Sequence, residues 1–68
     1  MEFTVGLERE DDGRWIAEIP ELPGVLAYGK TSEEATAAAK ALALRVVADR
    51  LEHGEQASAV ATISFRAA

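Results

Sequence analysis

Apolar and polar residues alternate from the first positions of the chain. Phe3, Val5 and Leu7 interleave with Thr4, Gly6 and Glu8, the period of two that turns one set of side chains to a core and the other to water. Trp15, Ala17 and Ile19 repeat the pattern. Between the two runs, Asp11-Asp12-Gly13 suits a three-residue hairpin loop with glycine in the left-handed position. That loop sets Glu10 opposite Arg14 as an opposite-charge pair, Leu7 opposite Ala17 and Val5 opposite Ile19, so both apolar sets share one face. A two-residue loop would put Leu7 across from Glu18 and mismatch the faces.

Pro20 has no N–H to give a ladder and is expected to end the second strand. Leu22-Pro23-Gly24-Val25 has Pro and Gly where a type II turn takes them. Val25 to Tyr28 follows as a third strand, with Leu26 and Tyr28 on one face and Val25 and Ala27 on the other. Thr31-Ser32-Glu33-Glu34 reads as a capping box, Thr31 accepting backbone N–H groups and Glu34 reaching back. The helix it opens is expected to run about 22 residues, to a left-handed stop at Gly54, with Arg50 and His53 in the last turn. Its apolar face is wide, with Ala35, Ala39, Leu42 and Val46 in one stripe and Ala41, Leu44, Ala48 and Leu51 in the next. Alternation resumes from Val60 to Arg66, with Ala61, Ile63 and Phe65 on one side, as a fourth strand.

The expected architecture is therefore α+β, in the order β-β-β-α-β: an antiparallel-type sheet covered on one face by one long helix, spanning residues 1–68 as one domain. One helix covers one side, which leaves the other for water, a second copy or a partner. At 68 residues and with no cysteine, neither a disulfide nor a thiolate metal site supports the core, and a core of this size rarely supplies more than about 3 to 5 kcal/mol. Self-association or a partner is expected on that ground. No apolar stretch approaches the roughly 18 residues of a membrane span, and Met1 runs straight into a strand pattern without a basic leader. A cytoplasmic address is the expectation.

Charge adds the first hint of a partner. Twelve acidic and seven basic residues give a net charge of −5, the wrong sign for a grip on phosphate backbones, so direct nucleic-acid binding is not expected and a basic partner is. Residues 1–23 hold Glu2, Glu8, Glu10, Asp11, Asp12, Glu18 and Glu21 against Arg9 and Arg14, which is the whole net charge of the chain. Glu8, Asp11, Asp12, Glu18 and Glu21 are the candidate partner-binding residues, able to steer a basic protein; the alternative is a solvated sheet face.

The run D-G-R-W-I-A-E-I-P-E-L-P-G-V from Asp12 to Val25, the run G-K-T-S-E-E-A from Gly29 to Ala35 and the alanine-rich helix together resemble the HicB family of antitoxins from bacterial HicA–HicB toxin–antitoxin systems. The resemblance spans almost the whole chain. It implies a truncated RNase-H-like fold and a protein-binding role, neutralising a HicA-like, small RNA-cleaving toxin with a double-stranded-RNA-binding-like fold by blocking its access to RNA. Many family members carry a C-terminal helix-turn-helix or ribbon-helix-helix domain that binds their operator. A short form lacking the C-terminal DNA-binding domain is the expectation.

Two other classes stay open. One is an orphan, self-assembling domain joining identical copies through the uncovered sheet face or an edge strand. The other is a metal-dependent RNase-H-like nuclease, for which Glu8, Glu18 and Asp49 are the candidate carboxylates. Against it, strand one has no carboxylate between Phe3 and Leu7. His53 is the single histidine, and without cysteine it has no partners for a triad or zinc site, so it reads as a helix-end surface residue. No glycine-rich phosphate loop occurs. No catalytic residue, metal or cofactor is expected. Trp15 reads as core, with Arg9 facing it across the strands for a cation–π contact.

Overall fold

The computed structural model describes residues 1–54 and 62–68. Four strands and one helix follow in the order β1 (Glu2–Arg9), β2 (Trp15–Glu18), β3 (Leu26–Gly29), α1 (Ser32–Glu52) and β4 (Ser64–Ala67). The sheet order is β3-β2-β1-β4. β1, β2 and β3 form the expected antiparallel meander. β4 pairs parallel to β1, so the sheet as a whole is mixed; a parallel neighbour needs a long crossover, and α1 supplies it.

The β1–β2 register is the one the hairpin loop dictates. Leu7 faces Ala17 and Arg9 faces Trp15, the Glu10 N–H donates to the Arg14 carbonyl at 2.7 Å, and the Gly13 N–H donates to Glu10 at 2.9 Å. Gly13 has φ +91°, a conformation glycine adopts without a Cβ penalty. At the other end of β2 two turns follow directly. The Leu22 N–H donates to the Ile19 carbonyl and the Val25 N–H to the Leu22 carbonyl, both at 3.0 Å. Gly24 at φ +87° marks the second as type II, as Pro23-Gly24 requires.

The cap of α1 differs from the expected box in one detail. The Thr31 hydroxyl accepts the Glu34 N–H at 3.1 Å, but the Glu34 carboxylate reaches one residue further back, to the Lys30 N–H at 2.9 Å. At the far end the Gly54 N–H donates to the Leu51 carbonyl, one residue past the His53 cap.

The core lies between α1 and the face of the sheet bearing Phe3, Val5, Ala17 and Ile19, closed at one end by Leu22 and Val25 from the turns. Trp15 is partly buried against it, as expected. The helix meets the sheet along Ala35, Ala39, Ala43 and Val47, a row four residues apart, with Leu42 and Val46 packed beside it. This corrects the sequence reading of two adjacent stripes. Ala35, Ala39, Leu42 and Val46 do face the core, but Leu44, Ala48 and Leu51 of the second stripe are exposed, while Ala43 and Val47 take the central positions. Apolar residues surround so much of the helix that their pattern does not choose its rotation; close approach does, by placing the smallest side chains directly over the strands.

α1 packs mainly over β3 and β2 and touches β1 far less. Leu7, although on the core face of β1, is therefore 45% exposed. The fourth strand is shorter than the alternation from Val60 suggests. Val60 and Ala61 lie outside the described residues, Ile63 precedes the strand and is exposed, and Phe65 is half-buried against Phe3 with ring centroids 5.6 Å apart.

Candidate functional site

Strand alternation fixes what the uncovered face of the sheet presents. With Phe3, Val5, Ala17 and Ile19 turned to α1, the opposite face carries Glu2, Thr4 and Glu8 from β1, Ile16 and Glu18 from β2, Leu26 and Tyr28 from β3, and Arg66 from β4. Gly6 faces Glu18 across the strands and has no side chain, so a shallow depression opens between Glu8, Ile16 and Glu18. Glu8 and Glu18 are diagonal neighbours across this depression, a relationship that places Cα atoms about 7–8 Å apart. Beside them Tyr28 is 48% and Leu26 39% exposed. The face thus combines carboxylates with an apolar patch on β3.

Each of the five expected partner-binding acids has a definite place. Glu8 and Glu18 lie together on this open face and Asp11 at the tip of the hairpin, all three exposed, and none of their carboxylates is in a hydrogen bond or ion pair among the described residues. Asp12 is engaged. Its carboxylate accepts the Arg14 N–H at 3.0 Å and the Arg14 Nε–H at 2.7 Å. The backbone N–H of Arg14, followed by its guanidinium, holds the Asp12 carboxyl below its ordinary value of 3.8. The Arg14 guanidinium in turn lies over the Tyr28 ring, 4.7 Å from its centroid. This corrects two expectations. Glu10 and Arg14 pair through backbone, but the guanidinium goes to Asp12, which is closer along the turn. Arg9 does face Trp15 in register, yet the cation–π contact that the hairpin makes among the described residues is Arg14 on Tyr28 of β3.

Glu21 is also engaged, and in a structural task. Pro20, where β2 would continue opposite Thr4, has no N–H, and the chain turns away there. The Glu21 carboxylate fills the gap in the ladder: the Thr4 N–H donates to Oε1 at 3.0 Å and Oε2 at 3.1 Å, and the Thr4 hydroxyl donates to Oε2 at 2.7 Å. The backbone N–H of Thr4, then its hydroxyl, lowers the Glu21 pKa from 4.5. Of the five acids, Glu8, Asp11 and Glu18 remain available to a partner. The sequence reading missed the apolar part of the face. Ile16, Leu26 and Tyr28 carry the signal in their parity, since they alternate with the residues assigned to the core.

The three nuclease candidates are not brought together. Glu8 and Glu18 lie on the open face, whereas Asp49 is on α1, across the sheet, with its carbonyl 2.7 Å from His53 Nδ1. Among the described residues no group of three or more His, Asp or Glu side chains is placed to hold a metal ion. Among the same residues no helix is long and apolar enough to cross a membrane.

Fold and site together define a one-helix α+β domain with an open face of acids and apolar side chains. The chain is similar to UPF0150 protein Ta0767 of Thermoplasma acidophilum, 40% identical over 35 residues that make up 52% of this chain and 51% of that protein. It thus matches about half the length of this curated relative. No family model matches the chain, and no solved structure matches it significantly.

Proposed function

We propose that this domain is an antitoxin-type protein-binding module of the HicB kind, which docks on a small, basic, RNA-cleaving toxin through its open sheet face and masks the RNA site. One observation carries the reading. Glu8 and Glu18, without partners among the described residues, border an exposed apolar patch of Leu26 and Tyr28 on the face that α1 leaves uncovered. A surface that binds RNA is basic and interleaved with apolar and aromatic groups, so an acidic and apolar face is its complement. The motif runs from Asp12 to Val25 and from Gly29 to Ala35 support the family, and the similarity to UPF0150 protein Ta0767 gives a family-level hint.

The test is co-purification with a small, basic HicA-like protein, with an RNA-cleavage assay run with and without the domain. A stable complex that suppresses cleavage is expected. Glu8→Lys with Glu18→Lys should abolish the complex while leaving the thermal transition in place. Glu21 is unsuitable for this purpose because it supports Thr4. An intact complex in the double variant would reject the open face as the docking surface.

A further inference from the structure

β3 is the outermost strand on its side of the order β3-β2-β1-β4. The Ile19 N–H donates to the Val25 carbonyl at 3.0 Å, and strand alternation carries that pattern along the ladder, so Ala27 and Gly29 turn their backbone groups to β2. Leu26 and Tyr28 turn theirs outward, with no partner among the described residues. Edge strands are commonly guarded by charge, proline or a bulge. Leu26-Ala27-Tyr28-Gly29 has no charged residue and no proline, and its pairing with β2 is continuous. For a chain of net charge −5, an uncharged edge is also where two copies approach with least repulsion.

We propose that β3 pairs antiparallel with β3 of a second copy about a two-fold axis at Ala27, joining the two sheets into one. The free backbone groups set the register. With Leu26 opposite Tyr28 of the second copy, and Tyr28 opposite its Leu26, each outward N–H and C=O finds a mate. A symmetric register shifted toward Lys30 fails, because the Lys30 N–H is held by the Glu34 carboxylate at 2.9 Å. One shifted toward Gly24 runs into the turn, where Gly24 has φ +87°.

Side chains suit this register on both faces. On the open face Tyr28 has Ile16 beside it in its own chain and would have Leu26 of the second copy on its other side, so two exposed apolar patches become one. On the helix side Ala27 would meet Ala27 of the second copy. α1 packs mainly over β3 and β2. With strands about 4.8 Å apart, two helices so placed on either side of the axis lie about 10 Å from each other, a distance at which helices pack. Gly29 lies against Ala35. From there the strand advances about 3.3 Å per residue and the helix about 1.5 Å, which brings Ala39 level with Ala27. Thr36 and Lys40 face the Phe65 side, leaving Ala38 and Leu42, both half-buried, on the flank toward the axis. A strand edge and a helix flank that fit one two-fold operator favour a second copy over an unrelated strand. The interface does not rest on the antitoxin reading, and it leaves both acidic faces uncovered.

Analytical ultracentrifugation of the full chain from micromolar to millimolar concentration should show a monomer converting to a species of doubled mass. The Leu26 and Tyr28 amides should become protected from exchange as it forms. Leu26→Pro removes an outward N–H without touching the β2 ladder and should raise the dissociation constant at least about tenfold. Ala38→Glu sets two carboxylates between the helices and should have the same effect with the circular dichroism of the fold unchanged. Since the chain has no cysteine, Ala27→Cys reads the register directly. Facing residues of a non-hydrogen-bonded pair stand about 4.5 Å apart at Cα, within disulfide range, so this variant should cross-link under mild oxidation, whereas Leu26→Cys, two residues out of register with its copy, should not. A chain that stays monomeric at millimolar concentration overturns the proposal. So does a dimer that Leu26→Pro and Ala38→Glu both leave intact, or one in which Leu26→Cys cross-links as readily as Ala27→Cys. Glu8→Lys with Glu18→Lys should leave the doubled mass unchanged, so this interface and toxin docking succeed or fail independently.

Discussion

Gly29 lies directly against the first turn of α1: a Cβ on Gly29 would stand 2.5 Å from the Ala35 nitrogen and 2.8 Å from Glu34 Cβ. Both neighbours belong to a capped helix start, and a backbone nitrogen there cannot yield without displacing the cap. The missing side chain lets α1 begin three residues after β3 ends and still pack on the sheet.

Gly29→Ala should therefore cost about 1–3 kcal/mol, as overpacking against backbone does. For a domain of this size each kcal/mol lowers Tm by about 4–8 °C. Gly6→Ala is the control. Its Cβ would meet the Glu18 carbonyl oxygen at 3.9 Å, an ordinary contact, and should leave Tm unchanged or raise it slightly. Thermal denaturation of both variants checks the pair.

The acid limb of stability should depend on Glu21. Its folded pKa is depressed by the Thr4 N–H and hydroxyl, so its contribution is complete above the ordinary value near 4.5 and is lost as pH falls through the lower folded value. Asp12 adds a loss of the same sign starting from 3.8. Glu21→Gln should flatten the dependence of the urea midpoint on pH below about 4.5, and Asp12→Asn should flatten its lower end.

Ala39 is completely buried against the sheet, so Ala39→Val should destabilise by about 1–3 kcal/mol. Ala48→Val, on the exposed side of α1, should cost only a few tenths of a kcal/mol from helix propensity. Urea titration of the two variants distinguishes a helix held by close contact from one held by intrinsic propensity.

Thr31→Ala removes the acceptor for the Glu34 N–H and should cost about 1 kcal/mol. Thr31→Ser should retain most of that stability. Amide exchange at Glu34 would report the loss locally, ahead of any global change.

Docking of a basic toxin on the open face should weaken with salt, because the Debye length shrinks from about 10 Å at 0.1 M to about 3 Å at 1 M. Tyr28→Ala should cost at least about 1 kcal/mol of affinity at any salt concentration, since it removes apolar contact and the support of Arg14. Titration calorimetry of the complex at two salt concentrations separates the contributions.

Where a local interaction decides the structure, the sequence is legible. The loop Asp11-Asp12-Gly13 fixes the β1–β2 register, Pro23-Gly24 the turn, and Thr31 with Glu34 the helix start, each within five residues. The rotation of α1 is not legible, because alanine and leucine occupy nearly every side of it and only the approach to the sheet selects Ala43 and Val47. The parallel placement of β4 is equally hidden, depending on where the crossover delivers the chain. For the site, parity alone places Glu8 and Glu18 on the open face. The engagement of Glu21 with Thr4 spans 17 positions and follows from the ladder gap at Pro20, which a carboxylate happens to reach.

The pairing of β1 with β4 joins strands far apart in sequence, from Glu2 beside Ser64 to Val5 beside Ala67. Every other strand pairing connects neighbours in sequence, so the meander and the helix can assemble from short loops, whereas this contact closes a loop that takes in β2, β3 and α1. Folding should finish at this seam. In the time before it closes, that edge of β1 is unpaired along its full length, and the interval of greatest exposure to aggregation is set by how quickly β4 reaches β1.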